Sequence, residues 1–185
     1  MVVGLISCEN ADSPPVVDMD GGPRLFKAVL YGNYPDVKRY IEDGDEVNFS
    51  YPEGMPLIKT AVGGFVDQDF TASVSRGEKT SLPENNHVLK LLLEAGADPN
   101  ALDHSGHPPL ARAIFHERLG SMYLLLLYGA DPDLADSGGG TPRCFAASYG
   151  AEEAIDMMFR FDPDPVDCPR VKFDSRGKPL SAEQE

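Results

Sequence analysis

Basic residues, cysteines and long apolar runs are all scarce in this 185-residue chain, and each scarcity removes a class of function. Lys and Arg number 16 against 30 Asp and Glu, a formal charge of −14. A chain this acidic lacks the basic stripe that supplies affinity for phosphate backbones, so nucleic acid is not an expected partner. An anionic membrane surface repels it as well, whereas a basic protein is steered toward it. No apolar run approaches the roughly 20 residues that cross a bilayer; Leu124–Leu127 is far too short. The three cysteines, Cys8, Cys144 and Cys168, are odd in number and far apart. They form no C-x-x-C pair, so no disulfide framework is expected and a reducing, cytoplasmic setting follows. No Lys or Arg precedes Arg24, unlike a secretory signal. Leu5-Ile6-Ser7-Cys8 does match a lipoprotein processing box, which makes lipidation at Cys8 and export the alternative, but too few residues precede it to form an apolar signal core.

Catalytic signatures are missing too. There is no G-x-S-x-G motif and no Cys–His nucleophile pattern. Ser137-Gly138-Gly139-Gly140-Thr141-Pro142 is glycine-rich but has neither the Lys nor the spacing of a phosphate-cradling loop. His104 and His107 stand three apart beside Asp103, a set too small and too local to specify a metal, and a polar turn explains it better. The clusters Glu42-Asp43 with Asp45-Glu46, and Glu152-Glu153, suit solvated faces rather than acid–base work, which needs burial to separate the pKa values. No enzyme, metal or cofactor is expected.

What the chain does contain is a repeat, within one domain's length and a near-average composition of 42% hydrophobic and 25% charged residues. Leu91-Leu92-Leu93-Glu94-Ala95-Gly96-Ala97-Asp98-Pro99-Asn100 recurs as Leu125-Leu126-Leu127-Tyr128-Gly129-Ala130-Asp131-Pro132-Asp133, and in degraded form over 40–48. A second phrase accompanies it: Gly106-His107-Pro108-Pro109-Leu110-Ala111-Arg112-Ala113, then Gly139-Gly140-Thr141-Pro142-Arg143-Cys144-Phe145-Ala146-Ala147. Together they resemble the two halves of an ankyrin repeat, T-P-L-H-x-A-A and L-L-L-x-x-G-A-D-x-N. Equivalent positions are Leu25, Leu57, Leu110 and Arg143, separated by 32, 53 and 33 residues. Two spacings match the roughly 33-residue period, and the third exceeds it by about 20.

The resemblance implies an all-α solenoid of four helix–turn–helix repeats over residues 22–162, with an insertion at 65–83 in repeat two and tails at 1–21 and 163–185. Pro at an early position seeds first helices, and Gly32, Gly64 and Gly150 end them. Gly44, Gly96 and Gly129 stop the second helices. Four repeats exceed the three needed to bury apolar faces mutually.

It also implies function. Ankyrin proteins dock partners on a concave face of turn tips and exposed first-helix positions. By register these are Leu30, Tyr31, Tyr51, Met55, Val62, His104, Ser105, His107, Phe115, His116, Ser137, Ser148 and Tyr149. We single out Tyr31, Tyr51, Met55, His104, His107, Phe115, His116 and Tyr149 as partner-binding, because aromatic residues and Met enrich interface cores. The expectation is a monomeric, non-catalytic module that binds and inhibits or masks one protein. A basic target suits the charge, as it would for a toxin-neutralising immunity protein. The alternative is a scaffold or chaperone-like assembly component that uses the insertion and tails as a second contact.

Overall fold

In the structure, a computed structural model, residues 23–51, 54–63, 85–163 and 168 are described. They form eight helices and one two-stranded hairpin. The helices are α1 (Arg24–Leu30), α2 (Tyr34–Glu42), α3 (Leu57–Val62), α4 (Asn86–Glu94), α5 (Pro109–Phe115), α6 (Leu119–Leu127), α7 (Pro142–Tyr149) and α8 (Glu152–Phe161). The hairpin joins β1 (Ser50–Tyr51) to β2 (Met55–Pro56), antiparallel, with Ser50 opposite Pro56. The protein is therefore mostly helical, as the sequence leads one to expect. The insertion at 65–83 and the N-terminal tail lie outside the described residues.

The helices pack as four consecutive pairs: α1 with α2, α3 with α4, α5 with α6, α7 with α8. First helices touch first helices along one row, and second helices touch second helices along another. A single apolar core runs between the rows from Leu25 to Met158, with Leu57, Leu89, Leu110, Met122 and Leu125 among its fully buried members. Local chemistry sets the helix ends. Pro109 and Pro142 occupy the first turns of α5 and α7, where a missing N–H costs no bond. Asn85 and Thr141 cap α4 and α7 by accepting from the Val88 and Cys144 amides. Gly96 and Gly129 follow α4 and α6 with φ of +88° and +90°.

The turns repeat atom for atom. Asp103 Oδ1 accepts from the amides of Ser105 and His107, and Asp136 Oδ1 accepts from those of Gly138 and Gly140. Successive turns also stack closely. A Cβ on Gly106 (φ +79°) would stand 2.8 Å from the Ser137 amide nitrogen, so conformation and space both demand glycine there.

One sequence expectation fails. Cys144 and Cys168 form a disulfide, with their Cα atoms 5.5 Å apart. Sequence separation says little about pairing; the fold brings residue 168 back against the start of α7 and buries it. With the bond in place, the ground for a reducing compartment is removed. Arg143 lies at the same end of the stack. It occupies the register position of Leu25, Leu57 and Leu110, yet it is only 2% exposed. Its guanidinium holds Asp133 through two parallel bonds, Nε to Oδ1 at 3.0 Å and Nη2 to Oδ2 at 2.9 Å.

Candidate functional site

One face of the protein carries a cleft of 490 Å3, built from α3, α5, α7 and the turn preceding α5. Three of its lining residues come from equivalent places. Counting two residues past Leu57, Leu110 and Arg143 reaches Lys59, Arg112 and Phe145, and all three line it. Short helices one repeat apart stack with the same face forward, so one sequence column becomes one physical wall.

Lys59 is almost wholly buried, and its ammonium is committed: it donates to Asp103 Oδ2 at 2.5 Å and to the His107 carbonyl at 3.0 Å. Burial lowers the Lys59 ammonium from its ordinary value, and the bond to Asp103 offsets only part of that. Burial alone would raise the Asp103 carboxyl. The Lys59 bond and the amides of His107 and Ser105 outweigh it and hold the carboxyl below the usual range. The His107 ring lies between two carboxylates, 3.8 Å from Asp103 and 3.5 Å from Asp136, and meets Phe145 edge-on.

Arg112 is different. Its Nε is buried with no hydrogen-bond partner, and among the described residues no carboxylate lies within ion-pair distance of it. Asp103 attracts it only from farther off, while burial lowers its pKa. The guanidinium rests against the backbone of Gly63, where an added Cβ would come within 2.7 Å of Nη2 and 3.0 Å of Nε. Arg118, buried nearby, donates to the Gly63 carbonyl at 3.2 Å.

Aromatic rings form the rim. Phe115 and Tyr149 are 67% and 64% exposed and meet edge-on with centroids 6.4 Å apart. Phe115 also contacts His116 at 5.2 Å. Burial, with Arg112 and Arg118 close by, pushes the His116 imidazole down, so it is neutral near pH 7. Beyond the Phe115–Tyr149 ridge lies a second cleft of 560 Å3, bordered by Glu117, Glu152 and Glu153. The ridge therefore separates a cationic cleft from an acidic one.

The sequence-derived residues distribute unevenly around this geometry. His107, Phe115, His116 and Tyr149 line the cationic cleft. Tyr31 is exposed but belongs to neither cleft, and His104 is exposed at the turn between α4 and α5. Met55 is half-buried in β2, and the side chain of Tyr51 lies outside the described residues. Val62 is a correction: at 0% exposed it belongs to the core, because all six residues of α3 are buried. Sequence reasoning missed Lys59, Asp103, Arg112 and Phe145 as residues that line the cleft. The column two residues past the repeat origin was the available signal. A further exposed ring pair, Tyr123 and Phe161, sits away from both clefts on α6 and α8. No family model matches the chain, and no curated protein matches it.

Proposed function

We propose that this chain is an ankyrin-repeat solenoid acting as a non-catalytic protein-binding module, with the face containing both clefts as its docking surface. The tandem register of the two phrases, the paired and stacked helices and the repeated Asp-anchored turns support the fold reading. The observation that carries the functional reading is the Phe115–Tyr149 ridge. Two large rings stand more than half exposed at the crest between two clefts, and rings so placed are the usual anchors of interfaces. The net charge of −14 and the acidic cleft beside the ridge favour a basic protein partner, approached by electrostatic steering. Inhibition or masking of such a partner, as by a toxin-neutralising immunity protein, is the form of function this reading prefers.

The scaffold reading draws support from the separate Tyr123–Phe161 ring pair, which offers a second apolar contact. One experiment separates the two. Partners captured by the full chain are remeasured against Phe115→Ala/Tyr149→Ala and against Tyr123→Ala/Phe161→Ala. On the docking reading the first pair weakens binding by at least about thirtyfold, near 2 kcal/mol, and leaves the melting temperature within a few degrees. Loss of binding only in the second pair would transfer recognition to the second helices. An early melt in the first pair would make the ridge a packing feature.

A further inference from the structure

We propose that the 490 Å3 cleft is a receptor for a single carboxylate carried on an apolar or aromatic stem, with Arg112 as the group that binds it. The proposal rests on the protein-docking reading, since the expected source is an acidic side chain or chain terminus of the partner. Three observations carry it.

The first is the uncommitted cation. Of the two cationic side chains that line the cleft, Lys59 is spent on Asp103 and the His107 carbonyl, while Arg112 has a buried Nε without an acceptor. A half-buried guanidinium whose buried Nε–H lacks an acceptor is costly, and proteins seldom keep one without use. A carboxylate supplies two acceptors in the plane that the guanidinium fork requires.

The second is that the protein makes room for it. Gly63 has an ordinary φ of −64°, so its backbone does not require glycine. Its missing Cβ instead leaves the space that the guanidinium fills. The third is the lining. Ala111, Phe115, Phe145 and Tyr149 offer apolar surface around the charge, which suits an anion attached to a hydrocarbon stem. Charge count sets the valence. Lys59 and Asp103 cancel and His116 is neutral near pH 7, which leaves the Arg112 guanidinium as the uncancelled charge on the lining. One uncancelled guanidinium matches a monoanion better than a phosphate dianion.

The test uses the full chain labelled with 15N and two probes of equal shape, 3-phenylpropionate and 3-phenylpropanamide. The acid should shift the Arg112 Nε–Hε resonance saturably with a dissociation constant of about 1 mM or below. The amide should bind at least about tenfold more weakly. Arg112→Gln and Arg112→Met should each weaken the acid by at least about tenfold. Arg112→Met should melt no earlier than the parent, because it replaces an unpaired buried charge with an apolar chain. Gly63→Ala keeps the charge but crowds it, and should weaken the acid while leaving the amide unchanged. Equal binding of acid and amide, or full acid affinity in Arg112→Gln, overturns the proposal. An early melt in Arg112→Met assigns Arg112 to the scaffold and overturns it too. A blocked dipeptide carrying Glu beside Phe tests the source. Competition with the acid supports a protein side chain. Failure to compete, with the acid still bound through Arg112, leaves the carboxylate receptor standing and removes its link to protein docking.

Discussion

Two junctions in the middle of the stack and one at its end perform the same task with different atoms. Asn48 donates to the Gly96 carbonyl at 3.0 Å and accepts from the Asp98 amide at 2.8 Å. One repeat later Asn100 does the same to Gly129 and Asp131, at 3.0 and 2.8 Å. The third equivalent position holds Asp133, a carboxylate with no N–H to give. The carbonyl awaiting a donor is that of Asp162, 33 residues beyond Gly129, and Arg143 reaches it from both terminal nitrogens at 3.3 Å. Arg143 thus relays between an Asp that cannot donate and a carbonyl that needs a donor. The comparison teaches that a repeat protein can change both partners of a junction and retain its connectivity. The end junction also carries the Cys144–Cys168 disulfide, so this terminus adds an ion pair and a covalent bond to the kind of hydrogen bonds that the middle junctions use.

The sharpest way to break the comparison is to remove the relay. Arg143→Ala leaves Asp133 nearly buried without its cation and the Asp162 carbonyl without its donor, and should cost about 3–5 kcal/mol. Arg143→Leu with Asp133→Asn rebuilds the junction in the form used by the middle repeats: a leucine in the core, an amide in the turn. That double variant should recover most of the loss, because an apolar residue of similar volume replaces a buried ion pair at little net cost. Urea unfolding with the disulfide kept oxidised measures both. A double variant as unstable as Arg143→Ala would show that the end requires the charge pair itself.

Another buried cation, Lys59, sharpens the contrast through pH. The folded structure holds Asp103 below its unfolded value of about 3.9. A carboxyl depressed by folding contributes stability that is present above the unfolded pKa and is lost as pH falls through the folded one. Stability should therefore decline below about pH 4, and part of that decline should vanish in Asp103→Asn. At pH 7 the same variant should cost about 2–3 kcal/mol, since Asn keeps the turn's acceptor but leaves Lys59 without its counter-charge. An unchanged acid limb in Asp103→Asn would remove this residue from the account.

How much of this was readable beforehand depends on the range over which each feature is determined. The register placed Leu25, Leu57 and Leu110 at equivalent positions, and all three are core residues, because helical period and repeat period are local properties. Arg143 was visible as the odd member of that column. Its partners were not, since Asp133 and Asp162 lie 10 and 19 residues away and meet it only in three dimensions. The disulfide failed for the same reason. Val62 was misread because the solvent-facing side of a six-residue helix cannot be fixed from so short a period. The ridge residues Phe115 and Tyr149 were legible as large residues at positions free of core duty, whereas Arg112 looked like any surface cation. What distinguishes Arg112 is the absence of a carboxylate beside it, and a sequence does not record absences in space.

The smallest expected effect tests the turns inside the helix pairs, where middle and end differ once more. The residue after the first helix-pair turn begins is Gly32 in the first pair and Gly150 in the last, with φ of +64° and +66°. In the third pair the equivalent residue is Glu117, held at φ +54°, the one non-glycine with positive φ among the described residues. A side chain in the left-handed region bears a penalty of about 1 kcal/mol that glycine does not. Glycine also gains freedom in the unfolded chain, which takes back part of the benefit. Glu117→Gly should therefore stabilise the protein by about 0.5 kcal/mol, read as a higher urea midpoint at unchanged slope. Glu117 is exposed and borders the acidic cleft, so the same variant should slow association with a basic partner as it steadies the fold. Glu117→Ala supplies the control: it removes the same charge without relieving the backbone. Equal stability in the Gly and Ala variants would show that the turn bears no strain at this position.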